Sequence, residues 1–298
     1  MTLDRSIYSW MQSYTRQTEW IDKRGLLLWI AFYTGGLGGG LYLVSLYFNS
    51  LIGMFIGWVI VAVIKGGAHV MFLGKPWRCW RMLFRPQSSW ISRGIFFVLL
   101  FSLFGIIQIA IQYWAPGSAA VVVFKVLAGV MAFCVSIYTG FVLNSVKAVP
   151  FWNSTLLPIL FILCGLLGGF GLSVAIALAG GDIKLETAEL GSRWLLIVNA
   201  LLIILYLWRA SQRETTGKMS VVQHIRGELA PFFWIGIVIL GIVIPLIIAL
   251  TGLFSHGLPS WILLTGVGCE ITGGLALRYC VLKAGAYKPL VARPFLAS

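Results

Sequence analysis

The chain has 298 residues, of which 59% are hydrophobic and 10% charged, with a formal net charge of +13. Soluble domains carry about 25% charged residues, so this balance, with a mean hydropathy of +0.94, excludes a soluble domain and predicts an all-α integral membrane protein. Five cysteines with no C-x-x-C spacing exclude a disulfide scaffold, and no iron-sulfur cluster or structural zinc is expected from them.

Three histidines, of which only His69 lies in an apolar run, predict no haem. The first 23 residues hold Asp4, Arg5, Arg16, Glu19, Asp22 and Lys23 with no apolar core, so no cleavable signal peptide is expected. A membrane helix needs about 20 mostly apolar residues. Such stretches fall at 25–48, 52–73, 94–114, 119–146, 156–180, 192–209, 230–252 and 260–283, which predicts eight crossings. Their arrangement is expected as two four-helix bundles. A surface segment at 1–24 precedes a first bundle at 25–146, and a second bundle with the C-terminal tail occupies 147–298. Glycine-rich stretches at 35–40 and 165–171 predict close helix packing.

An even number of crossings places both termini on one face, with the loops after the second, fourth and sixth helices. That face collects 18 of the 22 lysines and arginines, and the positive-inside rule makes it cytoplasmic. Topology and anionic lipid account for the positive charge, so nucleic acid is not an expected partner. Within the loop at 74–93 tryptophans alternate with basic residues. Such a loop either lies at the headgroups or docks a partner subunit. The docking candidates are Trp77, Arg78, Arg81, Arg85 and Trp90, with Lys147 in the next loop on that face.

Ionisable groups inside spans are costly and mark functional sites by default. Lys65 and His69 are four apart and share a helix face. Tyr138 lies about 12 Å from the end of its helix at 1.5 Å per residue, deep enough to meet a ligand headgroup. Glu270 sits near mid-membrane, as a proton relay or as a structural partner of Lys125 or Arg278, and these three define a candidate proton path. Gln108 and Gln112 add a polar stripe that binds water or bridges helices.

The segment YTGFVLNSVKAVPFWNSTLLPILFILCGLLGGFG at 138–171 resembles the NrfD and polysulfide reductase C family of membrane subunits. YTGGLGGGLYL at 33–43, LGKPWRCWRMLFRPQSSWISRG at 73–94 and LRYCVLKAG at 277–285 extend the likeness over nearly the whole chain. The resemblance implies a quinone-interacting anchor that holds no haem or cluster of its own. It implies a ferredoxin-like iron-sulfur subunit as partner, serving a molybdopterin-dependent catalytic subunit, with menaquinone or ubiquinone held in the first four-helix bundle. Tyr138 is the position that hydrogen-bonds a quinone carbonyl in the polysulfide reductase relative; among Trp29, Lys65, His69 and Arg81 on the same side, His69 and Lys65 are the expected further quinone ligands. The sequence departs from relatives with a His or acidic residue four before Pro76, where this chain has Phe72, and it has no histidine before Tyr33. A passive anchor without a quinone site and a small transporter are the rival readings.

Overall fold

A computed structural model describes residues 14–84, 86–213, 215–254 and 257–289. Arg85 and His256 lie outside the described residues. Eight helices are long and apolar enough to cross a membrane: span 1 (Gly25–Phe48), span 2 (Leu51–Phe72), span 3 (Trp90–Trp114), span 4 (Ala119–Asn144), span 5 (Leu156–Leu178), span 6 (Leu185–Ser211), span 7 (Phe232–Gly252) and span 8 (Ser260–Lys283). The protein is an all-α, multi-pass membrane protein.

Short polar residues punctuate the apolar runs. Asn49 takes a left-handed conformation with φ 58°, its N–H bonding back to the carbonyl of Leu46, and ends span 1. The next residue, Ser50, accepts a hydrogen bond from the Gly53 N–H and starts span 2. Ser89 and Ser118 cap spans 3 and 4 in the same way. Span 6 starts seven residues before the apolar stretch, because Glu189 and Arg193 pair at 2.8 Å across one helical turn and make its charged first turns tolerable. On the basic side, strands β1 (Thr15–Arg16) and β2 (Ala286–Tyr287) pair antiparallel and tie the segment before span 1 to the segment after span 8. The segment preceding span 1 is held further by Gln17, whose side-chain amide donates to the carbonyl of Leu282.

Span 1 is the hub. It packs on spans 2, 4, 5 and 8, most extensively on spans 2 and 5, while span 3 closes against spans 2 and 4, and spans 6 and 8 flank span 5. Backbones meet directly at the span 1 contacts. A Cβ on Gly38 would lie 2.8 Å from the carbonyl oxygen of Gly57 on span 2, and one on Gly39 2.9 Å from that of Ala132 on span 4. A Cβ on Gly165 would lie 2.5 Å from the Gly36 oxygen, and one on Gly169 2.6 Å from the Gly40 carbonyl carbon. Two glycine pairs with four-residue spacing thus interlock, as membrane helices lacking a hydrophobic driving force require.

An element that the apolar pattern does not mark is the helix Thr215–Ile225 between spans 6 and 7. It turns Val221 and His224 onto the end of the bundle, where the His224 ring lies 5.2 Å from the Phe151 ring and 6.0 Å from that of Phe233. The loop Val149–Trp152 tucks in beside it. Trp152 is fully buried and donates to the Val281 carbonyl at 2.7 Å, and the Tyr206 hydroxyl donates to the Phe151 carbonyl at 2.7 Å.

Replacing Gly165 with leucine is expected to force spans 1 and 5 apart, at a cost of about 3 kcal/mol or more. Thermal unfolding in detergent should register that loss, whereas Gly117→Ala, in open space, should leave the midpoint unchanged. Burial holds the His224 imidazole below the ordinary histidine value of 6.5, so the unfolded chain binds a proton that the native state refuses. The stability present above that value is therefore lost as the pH falls below it. Melting curves should show this acid-side decline, reduced in His224→Phe.

Candidate functional site

The second helix widens to an i→i+5 hydrogen-bond pattern over Ile60–Lys65, a local form frequent at functional sites. Its last residue, Lys65, turns inward and is fully buried. The hollow that receives it is Gly35 of span 1, where a Cβ would lie 2.6 Å from Nζ. Nζ donates to the Ala31 carbonyl at 3.1 Å and to the Tyr138 hydroxyl at 2.9 Å, and it stands 4.7 Å from the centre of the Tyr138 ring. No carboxylate forms an ion pair with Lys65 among the described residues. Its charge is met by a carbonyl dipole, a hydroxyl oxygen and an aromatic face.

Tyr138 is 4% exposed. Its ring is wedged on Gly94 of span 3, where a Cβ would lie 2.6 Å from Cδ2, and Phe97 meets it edge-on at 6.4 Å. Because the hydroxyl oxygen accepts from Lys65, its own proton remains available to another acceptor. His69, half-buried, has Nδ1 3.1 Å from the Lys65 carbonyl. A carbonyl only accepts, so Nδ1 carries the proton and Nε2 is left as an acceptor in the neutral ring. Between Lys65 and His69, span 2 presents Gly66 and Gly67; a Cβ on Gly67 would meet nothing within 4 Å. Of the three residues expected at a quinone, Lys65 and Tyr138 are in direct contact, and His69 is joined to Lys65 through the Lys65 carbonyl.

The expected proton-path residues do not all meet. Lys125 hydrogen-bonds the Asn49 side chain at the far end of span 1. It caps a polar chain in which Gln112 donates to Asn49, Gln108 to Gln112 at 2.5 Å, and the buried Tyr42 hydroxyl to Gln108 at 2.7 Å. The glutamine stripe bridges helices, and Lys125 belongs to it rather than to Glu270. Glu270 accepts from the Ser192 hydroxyl at 2.8 Å, and neither Lys125 nor Arg278 is its ion-pair partner. Arg278 is 1% exposed and fills the hollow at Gly36. It donates to the Phe161 carbonyl at 3.0 Å and to the Cys164 sulfur at 3.5 Å, and lies 4.6 Å from the Phe161 ring centre and 5.4 Å from that of Tyr33.

The Trp/Arg loop forms 3-10 turns over Pro76–Phe84 with no buried residue. Trp77 is 89% exposed, and Arg78, Arg81 and Lys147 are exposed as well. Trp90 differs from the other docking candidates. It is half-buried, stacked on Phe141 at 4.7 Å, with the Arg93 guanidinium 4.6 Å from its ring centre, so it anchors the loop to the bundle.

Sequence reasoning missed Gly94, Gly140 and Ser192. A Cβ on Gly140 would lie 2.8 Å from the Pro158 nitrogen, so the Tyr-Thr-Gly turn of span 4 sits directly against the start of span 5. The glycine spacing from Tyr138 was the available signal, but nothing in an apolar sequence says which helix faces it.

Comparison with known proteins identifies the family. The sequence profile of the family described as Polysulphide reductase, NrfD matches residues 24–289. The chain is 27% identical to Protein NrfD of Escherichia coli strain K12 over 264 residues, covering 75% of this chain and 79% of that protein. It is 28% identical to the polysulfide reductase C subunit of Wolinella succinogenes over 169 residues, 54% of this chain and 53% of that protein. A Protein NrfD homolog of Haemophilus influenzae is 26% identical over 250 residues, covering 72% of this chain and 76% of the relative. With a match that spans all eight membrane helices, the chain belongs to the polysulphide reductase NrfD family.

Proposed function

We propose that this chain is the membrane anchor and quinone-interacting subunit of a multisubunit respiratory oxidoreductase in a prokaryotic cell membrane. It exchanges electrons between the quinone pool, menaquinone or ubiquinone, and a docked ferredoxin-like iron-sulfur subunit that serves a molybdopterin-type catalytic subunit. The observation that carries the reading is the Lys65–Tyr138 hydrogen bond, which fixes a tyrosine hydroxyl inside the membrane with its proton uncommitted.

A bound quinol supplies two electrons and two protons. Within the site, the Tyr138 hydroxyl donates to one ring oxygen while Lys65 polarises it from behind. His69 Nε2 is placed to accept a proton, and its tautomer is held by the Lys65 carbonyl. Phe32 beside His69 and Phe97 against Tyr138 add apolar packing around these two groups. The exposed Trp77, Arg78, Arg81 and Lys147 form the docking surface for an acidic partner. With 18 basic residues on that side of the sequence, the docking face is cytoplasmic.

In the native complex, Tyr138→Phe is expected to lower quinol-dependent turnover by at least about tenfold, the loss of one buried hydrogen bond at the reacting oxygen. Turnover of the catalytic subunit with a soluble artificial electron carrier should stay unchanged. Gly94→Ala, which pushes a methyl group into the Tyr138 ring, should reproduce the defect in part, and Gly268→Ala, with nothing near its Cβ, should not. Unchanged quinol turnover in Tyr138→Phe would favour the passive anchor.

A further inference from the structure

The second half of the molecule holds a polar line that the quinone reading does not use. Glu270 lies ten residues into span 8 from the face opposite the Trp/Arg loop. One carboxylate oxygen, Oε1, accepts from Ser192, and the other, Oε2, is buried with no hydrogen-bond partner. Two cavities meet at this carboxylate. The outer one is lined by Glu189, Ser192 and Arg193 of span 6, Ile248 of span 7 and Gly266 of span 8. The inner one is lined by Asn199 of span 6, Cys164 of span 5 and Gly273 and Gly274 of span 8.

One more buried polar atom along the inner cavity, Asn199 Oδ1, lacks a partner. Arg278 Nε is unpartnered too, outside the cavity lining, and another arm of its guanidinium reaches the sulfur of the cavity-lining Cys164 at 3.5 Å. Buried polar groups in native proteins are satisfied, by protein or by ordered water. Two orphaned atoms, Glu270 Oε2 and Asn199 Oδ1, beside two cavities that share the Glu270 carboxylate as a wall, are the pattern that internal water fills. Towards the outside, Glu189 and Arg193 pair at 2.8 Å with about one fifth of each side chain exposed, so the outer cavity reaches solvent past a charged mouth.

We propose that Glu270 is a proton-exchanging site, supplied by water that enters from the face opposite the Trp/Arg loop past Glu189 and Arg193. Its carboxylate takes a proton from hydronium in the outer cavity, leaving water, and returns it by the reverse step. No electron moves. The ionisable groups around it are Glu189 and Arg193 of span 6, Cys164 of span 5, Tyr33 of span 1, and Cys269 and Arg278 of its own helix. Span 7 faces it with Pro245, Ile248 and Gly241. Ser192 holds Oε1, so the proton is carried on Oε2, the oxygen that faces the void. This site stands independently of the quinone reading, because it needs neither Tyr138 nor a docked partner.

Infrared difference spectroscopy of the whole protein in lipid nanodiscs, between buffers of higher and lower pH, tests it directly. A protonated-carboxyl C=O band should grow as the pH falls, shift in D2O, disappear in Glu270→Gln, and move to higher frequency in Ser192→Ala, which keeps the acid but removes its hydrogen bond. Gly266→Phe, which fills the outer cavity, should slow the D2O shift. A band that never exchanges would make Glu270 a sealed structural acid and overturn the proposal. So would the absence of any band that responds to both the Glu270 and Ser192 variants, and exchange undiminished in Gly266→Phe would overturn the assigned route.

Discussion

The structure depends on the absence of side chains along one helix. Residues 35–40 of span 1 contain five glycines, and each meets a different neighbour at backbone distance or receives a buried cation. In a membrane the apolar side chains gain little by leaving lipid for a protein interior, so association rests on close packing and dipole contacts. A helix without Cβ atoms lets three partners approach at once. That approach also creates the two hollows, at Gly35 and Gly36, that receive the ends of Lys65 and Arg278 from different directions. Packing and polar chemistry therefore share a cause.

Both cations are buried without a carboxylate beside them among the described residues. A carboxylate would neutralise the charge but would itself need desolvation, and the net gain of such buried pairs is small. Here carbonyl oxygens and ring faces take that role: Ala31 and Tyr138 for Lys65, Phe161 and Tyr33 for Arg278. These partners are fixed by the backbone and by packed rings, so they stabilise positive charge without cancelling its field. A site that must polarise a bound oxygen benefits from that arrangement.

Much of this was legible in the sequence. Eight apolar runs gave eight spans, and clustered glycines foretold close packing, because length and hydropathy alone decide both. Lys65 and Tyr138 meet at the depth the sequence implied, and the four-residue spacing of His69 brings its ring back to the Lys65 carbonyl. The partners of Lys125 and Glu270 were not legible, since a span that is apolar all round gives no periodicity from which its rotation can be read. Lys125 was close to Asn49 only because span 4 turns that residue toward the end of span 1. Ser192 fell at the edge of the apolar stretch, and its neighbours Glu189 and Arg193 argued against a span until their pairing was visible. The helix Thr215–Ile225 is short and mixed in character, and its burial comes from the Phe151–Trp152 loop rather than from its own pattern.

The polar groups divide between the two halves in a way that follows from span 1. Tyr138, Lys65 and His69 lie on its span 2 and span 4 side, and Arg278, Cys164 and Glu270 on its span 5 and span 8 side. Neither set crosses the glycine strip, because the strip offers no side chain to continue a hydrogen-bond chain. Where backbones touch, there is also no room for water. Two polar sites can thus sit at similar depth in one small membrane protein without a hydrogen-bond chain between them, although the Arg278 charge is still felt at Lys65. The close packing that brings the helices together also keeps their hydrogen-bond networks apart.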